Sequence, residues 1–386
     1  MKDKCKRLGI RGVALIMAIC FGSMIFFVAC SGNGGGSGVN GSPESKSIRA
    51  VFPLVGSEVN LANDDVAAFM ENYQVGDSAL YYGKGDNYKM KGVTLTFTTE
   101  LQALNYKVLI SSNKDMSKAK ECVTQQTEAH FDDLYINHKY YWQVYATCSN
   151  ETVISDIFTF TTSNTLRTID IEGVSNARDI GGKQTIDGNI VKQGMLYRAA
   201  ILDNVTPMGK EWATTVYRIK TDLDFRNFSE VGTRTTSPLG ESVKFIHISA
   251  PYYLGNPNGI DYVGNWESIR QYMKVFANAN NYPILYHCSV GRDRTGIATM
   301  LLLGLLGVSE RDIFIDYEAS FFSERGCLDG ASVDSMVTSL RKTMEYIKNT
   351  YGGTEDNFQK KCTMFLLNVG VALEEIISIQ NIMWVN

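Results

Sequence analysis

The run at positions 281–307, NYPILYHCSVGRDRTGIATMLLLGLLG, constrains the fold of this chain more than any other stretch. Its first part is short, apolar and rich in β-favouring residues, which predicts a buried strand, and its last part predicts a buried helix. The residues between them, His287 to Gly296, therefore form the turn that leads from the strand into the helix. Other strands and helices alternate beyond position 168, which indicates an α/β domain with a central, largely parallel sheet flanked by helices.

The turn is predicted to bind an anion. Its backbone N–H groups point inward and the helix N-terminus adds partial positive charge. The same field favours the thiolate of Cys288, and Arg294 is able to donate two hydrogen bonds to a tetrahedral dianion. Gly291 supplies the backbone freedom that the curvature needs. The predicted phosphate-binding residues are Ser289, Val290, Gly291, Arg292, Asp293 and Arg294.

These residue types suit attack of sulfur on phosphorus. Cys288 is the predicted nucleophile, and it would displace an alcohol or phenol from a phosphate monoester to leave a cysteinyl-phosphate that water hydrolyses. Asp293 is the predicted general acid, with Asp224 as the alternative and an ion pair between Asp224 and Arg226 as its competing role. Thr295 is predicted to donate its hydroxyl to the sulfur. No metal or cofactor is expected, because the loop and its arginine neutralise the phosphate.

The motif HCSVGRDRTG resembles the signature of cysteine-based protein tyrosine phosphatases. It is most similar to the bacterial and fungal branch whose loop reads His-Cys-x-x-Gly-Lys-Asp-Arg-Thr-Gly. Further stretches resemble segments of that branch, namely NARDIGG (176–182), MLYRAA (195–200), LDFR (223–226), LGVSERDIFIDYEAS (306–320) and YIKNTYGGTEDNF (346–358). The resemblance spans residues 168–386 and implies an α/β phosphatase domain with Asp293 as general acid. Arg292 replaces the lysine of that branch, which keeps the charge and changes the shape.

Three more charged residues are candidate pocket residues. Arg178 and Asp179 in NARDIGG either help to form the pocket or make an ion pair that locks a strand, and Asp224 either contributes to the pocket as the alternative acid or pairs with Arg226. His287 is expected to be a packed residue at the strand end that orders the loop. An effect of His287 on Cys288 is its alternative role.

The first thirty residues predict export. A basic head precedes an apolar run at 13–28 that ends at a small residue before Cys30. The sequence FVAC resembles a bacterial lipobox, which implies that a signal peptide of residues 1–29 is removed and that Cys30 is lipidated; a plain signal peptide and an uncleaved anchor are the alternatives. Residues 30–47 are rich in Gly and Ser and predict a flexible tether. By analogy with lipoprotein sorting, Ser31 indicates anchoring in the outer membrane of the cell envelope.

Residues 48–163 alternate between apolar and polar side chains, for example in YKVLISS (106–112) and YYWQVYAT (140–147). Short strands at this spacing predict an all-β sandwich. Its later part resembles a fibronectin type III module, which implies a role in presenting or spacing another domain. Cys122 and Cys148 are able to pair outside the cytoplasm, but the sequence leaves open whether their side chains face each other. The next domain is predicted to span 168–386.

Charge and length limit the functions that remain. A chain of 386 residues suggests two or three domains. Loss of residues 1–29 removes five positive charges and one negative, so the net charge changes from −4 to −8, which disfavours a nucleic-acid partner.

The favoured function is a protein tyrosine phosphatase of broad specificity that acts on phosphorylated proteins or small phosphate esters. A phosphoinositide or inositol-phosphate phosphatase, a phosphate-reading binding module and a redox thiol are the alternatives. The sequence does not determine the oligomeric state.

Overall fold

The computed structural model describes residues 48–82, 88–252, 259–327 and 330–385. The predicted signal peptide at 1–29, the lipidation site at Cys30 and the tether at 30–47 lie outside the described residues. The chain divides into two compact units. The smaller unit comprises residues 48–57, Thr94–Phe131 and Tyr140–Phe160, and the larger comprises Glu58–Val93, Asp132–Lys139 and Thr161–Asn386.

Strands and helices both contribute to the described chain. The strands are β1 (Ile48–Phe52), β2 (Glu58–Val59), β3 (Val93–Thr99), β4 (Asn105–Ser111), β5 (Lys120–Thr124), β6 (Glu128–Phe131), β7 (Lys139–Thr147), β8 (Thr152–Ile154), β9 (Phe158–Thr162), β10 (Arg167–Thr168), β11 (Arg178–Asp179), β12 (Leu196–Ala199), β13 (Thr221–Asp224), β14 (Lys244–His247) and β15 (Ile284–His287). The α-helices are α1 (Asp64–Glu71), α2 (Pro207–Thr215), α3 (Phe228–Val231), α4 (Trp266–Phe276), α5 (Asp293–Leu305), α6 (Glu310–Glu318), α7 (Glu324–Cys327), α8 (Val333–Thr350), α9 (Phe358–Val369) and α10 (Leu373–Met383).

The smaller unit contains two sheets in which β1–β3, β4–β5, β4–β7 and β7–β8 pair antiparallel, so the predicted N-terminal β region is present. One sheet has the order β1-β3-β6 and another has the order β9-β7-β4-β5, with β8 paired to β7. Alternate residues of β7 are buried, as the period-two pattern predicts, and they are Tyr140, Trp142, Val144 and Ala146. Phe97 of β3 and Tyr106 of β4 meet edge to face with ring centroids 5.0 Å apart. This aromatic contact joins the two sheets.

Cys122 and Cys148 do not pair with each other, because Cys148 is a free thiol. Cys122 lies on β5 opposite Val108 of β4, whereas Cys148 follows β7. Strand β4 lies between β5 and β7. Because neighbouring strands are about 4.8 Å apart, the two cysteines are separated by about two strand spacings, which exceeds the ~7 Å that a disulfide spans between Cα atoms.

The prediction of an all-β region from 48 to 163 is wrong for residues 58–93, because this segment contains helix α1. The side-chain oxygen of Asn63 accepts a hydrogen bond from the N–H of Asp65 at 3.0 Å, which caps the helix N-terminus. Val66 and Phe69 are buried and lie three positions apart, so they share one face of the helix. The sequence signals for this helix are therefore present but short.

The same segment is part of the larger unit. Phe69 packs edge to face on Phe322 with centroids 5.2 Å apart. The buried carboxylate of Glu318 accepts hydrogen bonds from the Tyr73 hydroxyl at 2.5 Å and from the N–H groups of Gly76 at 2.9 Å and Ser78 at 3.1 Å. A boundary at 163–168 therefore does not separate the two units, because part of the larger unit comes from residues before it.

The larger unit confirms the predicted α/β domain. Its six-stranded sheet has the order β10-β11-β12-β15-β13-β14. Strands β10, β11 and β12 pair antiparallel, and β12, β15, β13 and β14 pair parallel. Every residue of β15 is buried. Ile284 and Tyr286 join one core cluster and Leu285 joins another, so apolar side chains cover both faces of the central strand.

Helix α5 follows the central strand and is buried along all thirteen of its residues. A β-carbon added at Gly296 would lie 2.8 Å from the Tyr317 ring of α6, and one at Gly304 would lie 2.6 Å from the Phe358 ring of α9. The helix therefore packs beneath other helices, which explains why its sequence after the first turn is largely apolar on every side. No helix in the described part of the chain is both long and apolar enough to cross a membrane.

Candidate active site

Cys288 lies directly after the carboxyl end of the central strand. His287, the last residue of β15, is in register with Ala199 of β12 and Asp224 of β13. The three strands therefore end at one level. Helix α5 begins five residues after the cysteine, at Asp293. Ligands of open α/β sheets bind at the carboxyl ends of the parallel strands, and a helix N-terminus there attracts anions.

The first carbonyl groups of the loop are held by groups outside it. The carbonyl of Ser289 accepts hydrogen bonds from the N–H of Ile201 at 3.2 Å and from Nε of Arg325 at 3.3 Å. The carbonyl of Val290 accepts one from the side-chain amide of Asn176 at 3.1 Å. These contacts turn the carbonyl oxygens outward, so the peptide N–H groups are directed toward the interior of the loop.

Gly291 completes the loop. Its carbonyl accepts a hydrogen bond from Nη2 of Arg198 at 2.7 Å, and its N–H lies 3.2 Å from Sγ of Cys288. The residue has φ +74°, and a β-carbon there would lie 2.5 Å from the carbonyl oxygen of Ala199. Only glycine meets both conditions without strain. The N–H of Gly291 is therefore directed at the sulfur.

A buried ion cluster supports the loop. Both oxygens of Asp316 pair with arginines: Nε of Arg178 lies at 3.2 Å, and Nη1 of Arg198 makes a closer contact. Burial alone would raise the pKa of Asp316, but the two guanidinium groups outweigh it and hold that pKa well below the usual range. Arg178 also donates to the side-chain oxygen of Asn176. Of the two roles predicted for Arg178, the structure therefore shows the ion pair and not the pocket contact, and this pair supports the residues that hold the loop.

Asp179 and Asp224 are also paired in the interior. Oδ2 of Asp179 accepts from Nη1 of Arg167 at 2.6 Å and from the N–H of Gly194 at 2.6 Å. Oδ2 of Asp224 accepts from Nη2 of Arg226 at 2.7 Å. Both carboxylates are buried, and a buried carboxylate needs such partners. The contacts therefore give neither residue a pocket role and do not support Asp224 as the alternative acid.

His287 is fully buried at the end of the central strand, beside two carboxylates. Its Nε2 lies 3.0 Å from Oδ1 of Asp222 and 3.8 Å from Oδ2 of Asp224. Burial alone would lower the pKa of His287, but these carboxylates raise it to about 9. His287 is therefore a packed residue at the strand end, held by acidic residues of the neighbouring strand β13.

Asp293 and Arg292 form a pair at the start of α5. Nε of Arg292 lies 3.1 Å from Oδ1 of Asp293, and Nη2 lies 3.2 Å from Oδ2. Nη1 of Arg292 donates to the carbonyl of Gly326 at 2.7 Å, and the guanidinium lies over the Phe321 ring. The Arg292 side chain is thus directed into the protein and away from solvent, with 1% exposure. The prediction that the Arg292 side chain contributes to phosphate binding is therefore wrong, because its hydrogen-bond donors contact groups of the protein interior.

Thr295 lies in the first turn of α5. Its hydroxyl is buried and has no hydrogen-bond partner among the described residues. The predicted bond from this hydroxyl to the sulfur of Cys288 is therefore not formed in this state. A buried hydroxyl without a hydrogen-bond partner lowers the stability of the fold. A ligand or water that reaches Thr295 would therefore accept a hydrogen bond from it.

Arg294 is paired with a residue that the sequence analysis did not identify. Its Nη1 lies 2.6 Å from Oε2 of Glu230 and its Nη2 lies 3.0 Å from Oε1. The hydroxyl of Ser289 donates to Oε1 of Glu230 at 2.5 Å. Hydrogen bonds from Arg294 and, less strongly, Ser289 lower the pKa of Glu230 to about 2 against the opposite effect of burial.

The sequence analysis gave no site role to Asn176, Arg198, Glu230 or Arg325, although Asn176 and Arg198 lie in the quoted motifs NARDIGG and MLYRAA. A signal existed for Glu230, because an Asn followed three residues later by Glu indicates the start of a helix. That signal does not reveal the partner, since Arg294 lies 64 positions away. Within the described ranges, no group of three or more His, Cys, Asp or Glu side chains is arranged to hold a metal ion.

The fold and the site together define a class of protein. A cysteine after the central parallel strand, a loop of inward-facing amides and an arginine at the helix start are the features of cysteine-based phosphatases. Residues 169–365, just over half of the chain, match the tyrosine phosphatase family. The chain therefore belongs to the tyrosine phosphatase family.

Individual proteins are similar to parts of the chain. A Cupriavidus necator protein that carries the name of a tyrosine-protein phosphatase is 28% identical over 176 residues, which cover 37% of this chain and 59% of that protein. The chain thus spans about three fifths of the length of this curated relative.

Two solved structures are also similar. The core catalytic domain of the PP-IP phosphatase SIW14 from S. cerevisiae, in complex with citrate, is 16% identical with a TM-score of 0.26, covering 40% of this chain and 93% of that chain. A second structure of the Siw14 catalytic core is 16% identical with a TM-score of 0.24, covering 38% and 86%.

Proposed function

We propose that this protein hydrolyses phosphate monoesters through a cysteinyl-phosphate intermediate and that it acts as a protein tyrosine phosphatase of broad specificity. One observation carries the proposal. The carbonyls of Ser289, Val290 and Gly291 are all bonded from outside the loop, and the N–H of Gly291 points at the sulfur of Cys288. Such a ring of donors fits the equatorial oxygens of a phosphoryl group under attack.

In the first step, the thiolate of Cys288 attacks phosphorus. A sulfur–phosphorus bond forms and the bond from phosphorus to the leaving oxygen breaks. The loop amides and Arg294 stabilise the charge on the transferred group. Asp293 supplies the proton that the leaving oxygen needs.

The pairing of Asp293 favours an aromatic leaving group. Both of its oxygens accept from Arg292, so Asp293 must give up at least one of these bonds to carry a proton. A phenol with a pKa near 10 departs as an anion more readily than an aliphatic alcohol and depends less on that proton. This supports phosphotyrosine over phosphoserine and phosphothreonine as the substrate.

In the second step, water attacks the phosphorus of the intermediate and the sulfur–phosphorus bond breaks. Asp293 accepts the proton of the water as general base. Cys288 leaves as a thiolate. The hydroxyl of Thr295, buried and unpaired among the described residues, is proposed to donate to the sulfur at this stage and so to stabilise the departing anion.

A phosphate-release panel tests the function. Substrates are an aryl phosphate, matched phosphotyrosine and phosphoserine peptides, a phosphoinositide and inositol hexakisphosphate. We expect release to be fastest from the phosphotyrosine peptide and the aryl phosphate, and to be abolished in Cys288→Ser with peptide binding retained. Cys148→Ser is the matched control, because Cys148 is a free cysteine of the smaller unit.

The alternatives predict different outcomes. Fastest release from a phosphoinositide or from inositol hexakisphosphate would indicate a phosphoinositide or inositol-phosphate phosphatase. Binding of the phosphopeptide without turnover by the wild-type protein would indicate a binding module. Thiol–disulfide exchange or sulfur transfer without phosphate release would indicate a redox protein.

The N-terminal region is proposed to deliver this activity to the cell envelope. The lipobox-like FVAC sequence supports lipidation at Cys30 and anchoring in the outer membrane, and the tether at 30–47 would separate the anchor from the folded chain. The antiparallel sheets of the smaller unit support a fibronectin type III-like module that presents the catalytic unit. Labelling with a radioactive fatty acid, followed by membrane fractionation, should show label in the wild-type protein and none in Cys30→Ser.

A further inference from the structure

The carboxylate of Glu230 bridges the two ends of the anion-binding loop. Its Oε1 accepts from the hydroxyl of Ser289 at 2.5 Å and from Nη2 of Arg294 at 3.0 Å. Its Oε2 accepts from Nη1 of Arg294 at 2.6 Å and from the N–H of Asn227 at 2.7 Å. Ser289 follows the nucleophile and Arg294 ends the loop, so one side chain on α3 connects the loop from end to end.

We propose that Glu230 is a positioning residue, which holds Arg294 in the orientation that binds the phosphoryl group. The inference rests on the proposed function. A guanidinium has five N–H donors in one plane, and a bidentate carboxylate sets that plane because the two groups lie coplanar. The bonds to Glu230 use Nη1 and Nη2, and the edge that contains Nε lies outside this pair. A phosphate oxygen that meets this second edge would find it already oriented.

Burial supports this role. The Arg294 side chain is 3% exposed and that of Glu230 is 29% exposed. The arginine thus reaches the pair from the interior and the carboxylate reaches it from the surface. Because burial makes a charged hydrogen bond stronger than it is in water, the pair restrains Arg294 more than an exposed ion pair would. A catalytic group that is already oriented loses less conformational entropy when the substrate binds.

The alternative is that Glu230 competes with phosphate for Arg294. Two features argue against competition. The bond from the N–H of Asn227 closes a capping box at the start of α3, so the carboxylate is held by its own helix as well as by the loop. The link to Ser289 would also have to break if the carboxylate left. A competitor needs freedom to withdraw, and these contacts restrict it.

Three variants test the role of Glu230. Glu230→Gln keeps the size and the acceptor oxygen for Asn227 but removes the charge, Glu230→Ala removes the side chain, and Glu230→Asp is the conservative variant. The matched control is Glu345→Gln, an acid-to-amide change at an exposed position of α8. Circular dichroism and a thermal melt first establish that each variant folds.

Phosphate binding is the decisive measurement. Calorimetric titration with inorganic phosphate should give a dissociation constant raised about tenfold in Glu230→Gln and more in Glu230→Ala. Glu230→Asp should recover part of the affinity, and Glu345→Gln should match the wild type. With an aryl phosphate, KM should rise more than kcat falls, because the ordering of Arg294 is then added to the binding step.

Two outcomes would overturn the proposal. Tighter phosphate binding in Glu230→Gln would show that the carboxylate competes with the ligand. Unchanged phosphate binding with a lower melting temperature would show that Glu230 serves only the helix cap. The titration needs no turnover, so it tests Glu230 even if the panel of substrates rejects the proposed hydrolysis.

Discussion

Asp316→Asn is the sharpest test of how the fold supports the site. The Asp316 carboxylate is 1% exposed, and it is the shared partner of Arg178 and Arg198, which are 0% and 1% exposed. The amide keeps the shape but leaves two buried guanidinium groups without that counter-charge. Removal of one member of a buried ion pair costs about 3–5 kcal/mol. For a unit of this size, 1 kcal/mol corresponds to a shift of about 2–4 °C, so Tm should fall by roughly 6–20 °C.

The same substitution should lower activity at temperatures where the variant is still folded. Arg198 donates to the carbonyl of Gly291, so a displaced Arg198 would release the loop from below. Thermal unfolding and phosphate release at 20 °C measure the two effects separately. Glu267→Gln, which removes one charge from an exposed pair with Arg270, is the control and should leave Tm essentially unchanged. An equally small change in Asp316→Asn would contradict this prediction, because it would mean that the cluster does not depend on its negative charge.

Three other predictions address the loop, the strand end and the domain boundary. Gly291→Ala should reduce phosphate release at least a hundredfold, because the methyl group would meet the carbonyl oxygen of Ala199 at 2.5 Å. The control Gly188→Ala has a similar φ of +82° and no atom within 4 Å of the added methyl group, so it measures backbone strain without the clash. Equal losses in both variants would contradict the prediction. The folded-state pKa of His287 is raised from 6.5 to about 9, so its contribution to stability is complete below pH 6.5 and is lost as the pH rises through 9. Urea unfolding at pH 6, 7.5 and 9 should therefore show a falling free energy of unfolding in the wild type. The fall should be smaller in His287→Gln. A truncated chain of residues 168–386 should yield little soluble, cooperatively melting protein compared with residues 48–386, because it lacks 58–93; a normal melt of the shorter chain would show that this segment is dispensable.

Much of the α/β domain could be predicted because its signals are local. A short β-favouring run, a turn with glycine and a long apolar run determine a buried strand, a loop and a buried helix through short-range preferences. The position of Cys288 at the loop start and Arg294 at the helix start follows from that order. The helix α1 was missed because its pattern spans only Asp64–Glu71 within a stretch that otherwise alternates with period two.

The charged side chains could not be assigned in the same way. For Asp224 the sequence left open a role as acid and an ion pair with Arg226, and the structure shows the ion pair. Arg292 was expected to add charge to the ligand site, and the structure directs it to Asp293. Each of these residues has several opposite charges within reach in sequence, and a buried charge takes whichever partner satisfies it best. Motif content therefore identifies the region but not the contacts of each group.

The candidate chemistry could be read from local sequence, since a cysteine, a glycine and an arginine at set spacing in one turn need only the local backbone to form the proposed anion-binding loop. Which groups hold that loop in place depends on the tertiary fold. Glu230 meets Arg294 across 64 positions and Asp316 meets Arg178 across 138. Such pairs depend on the order of strands in the sheet and on the packing of helices around it, and no short-range preference of the chain encodes them.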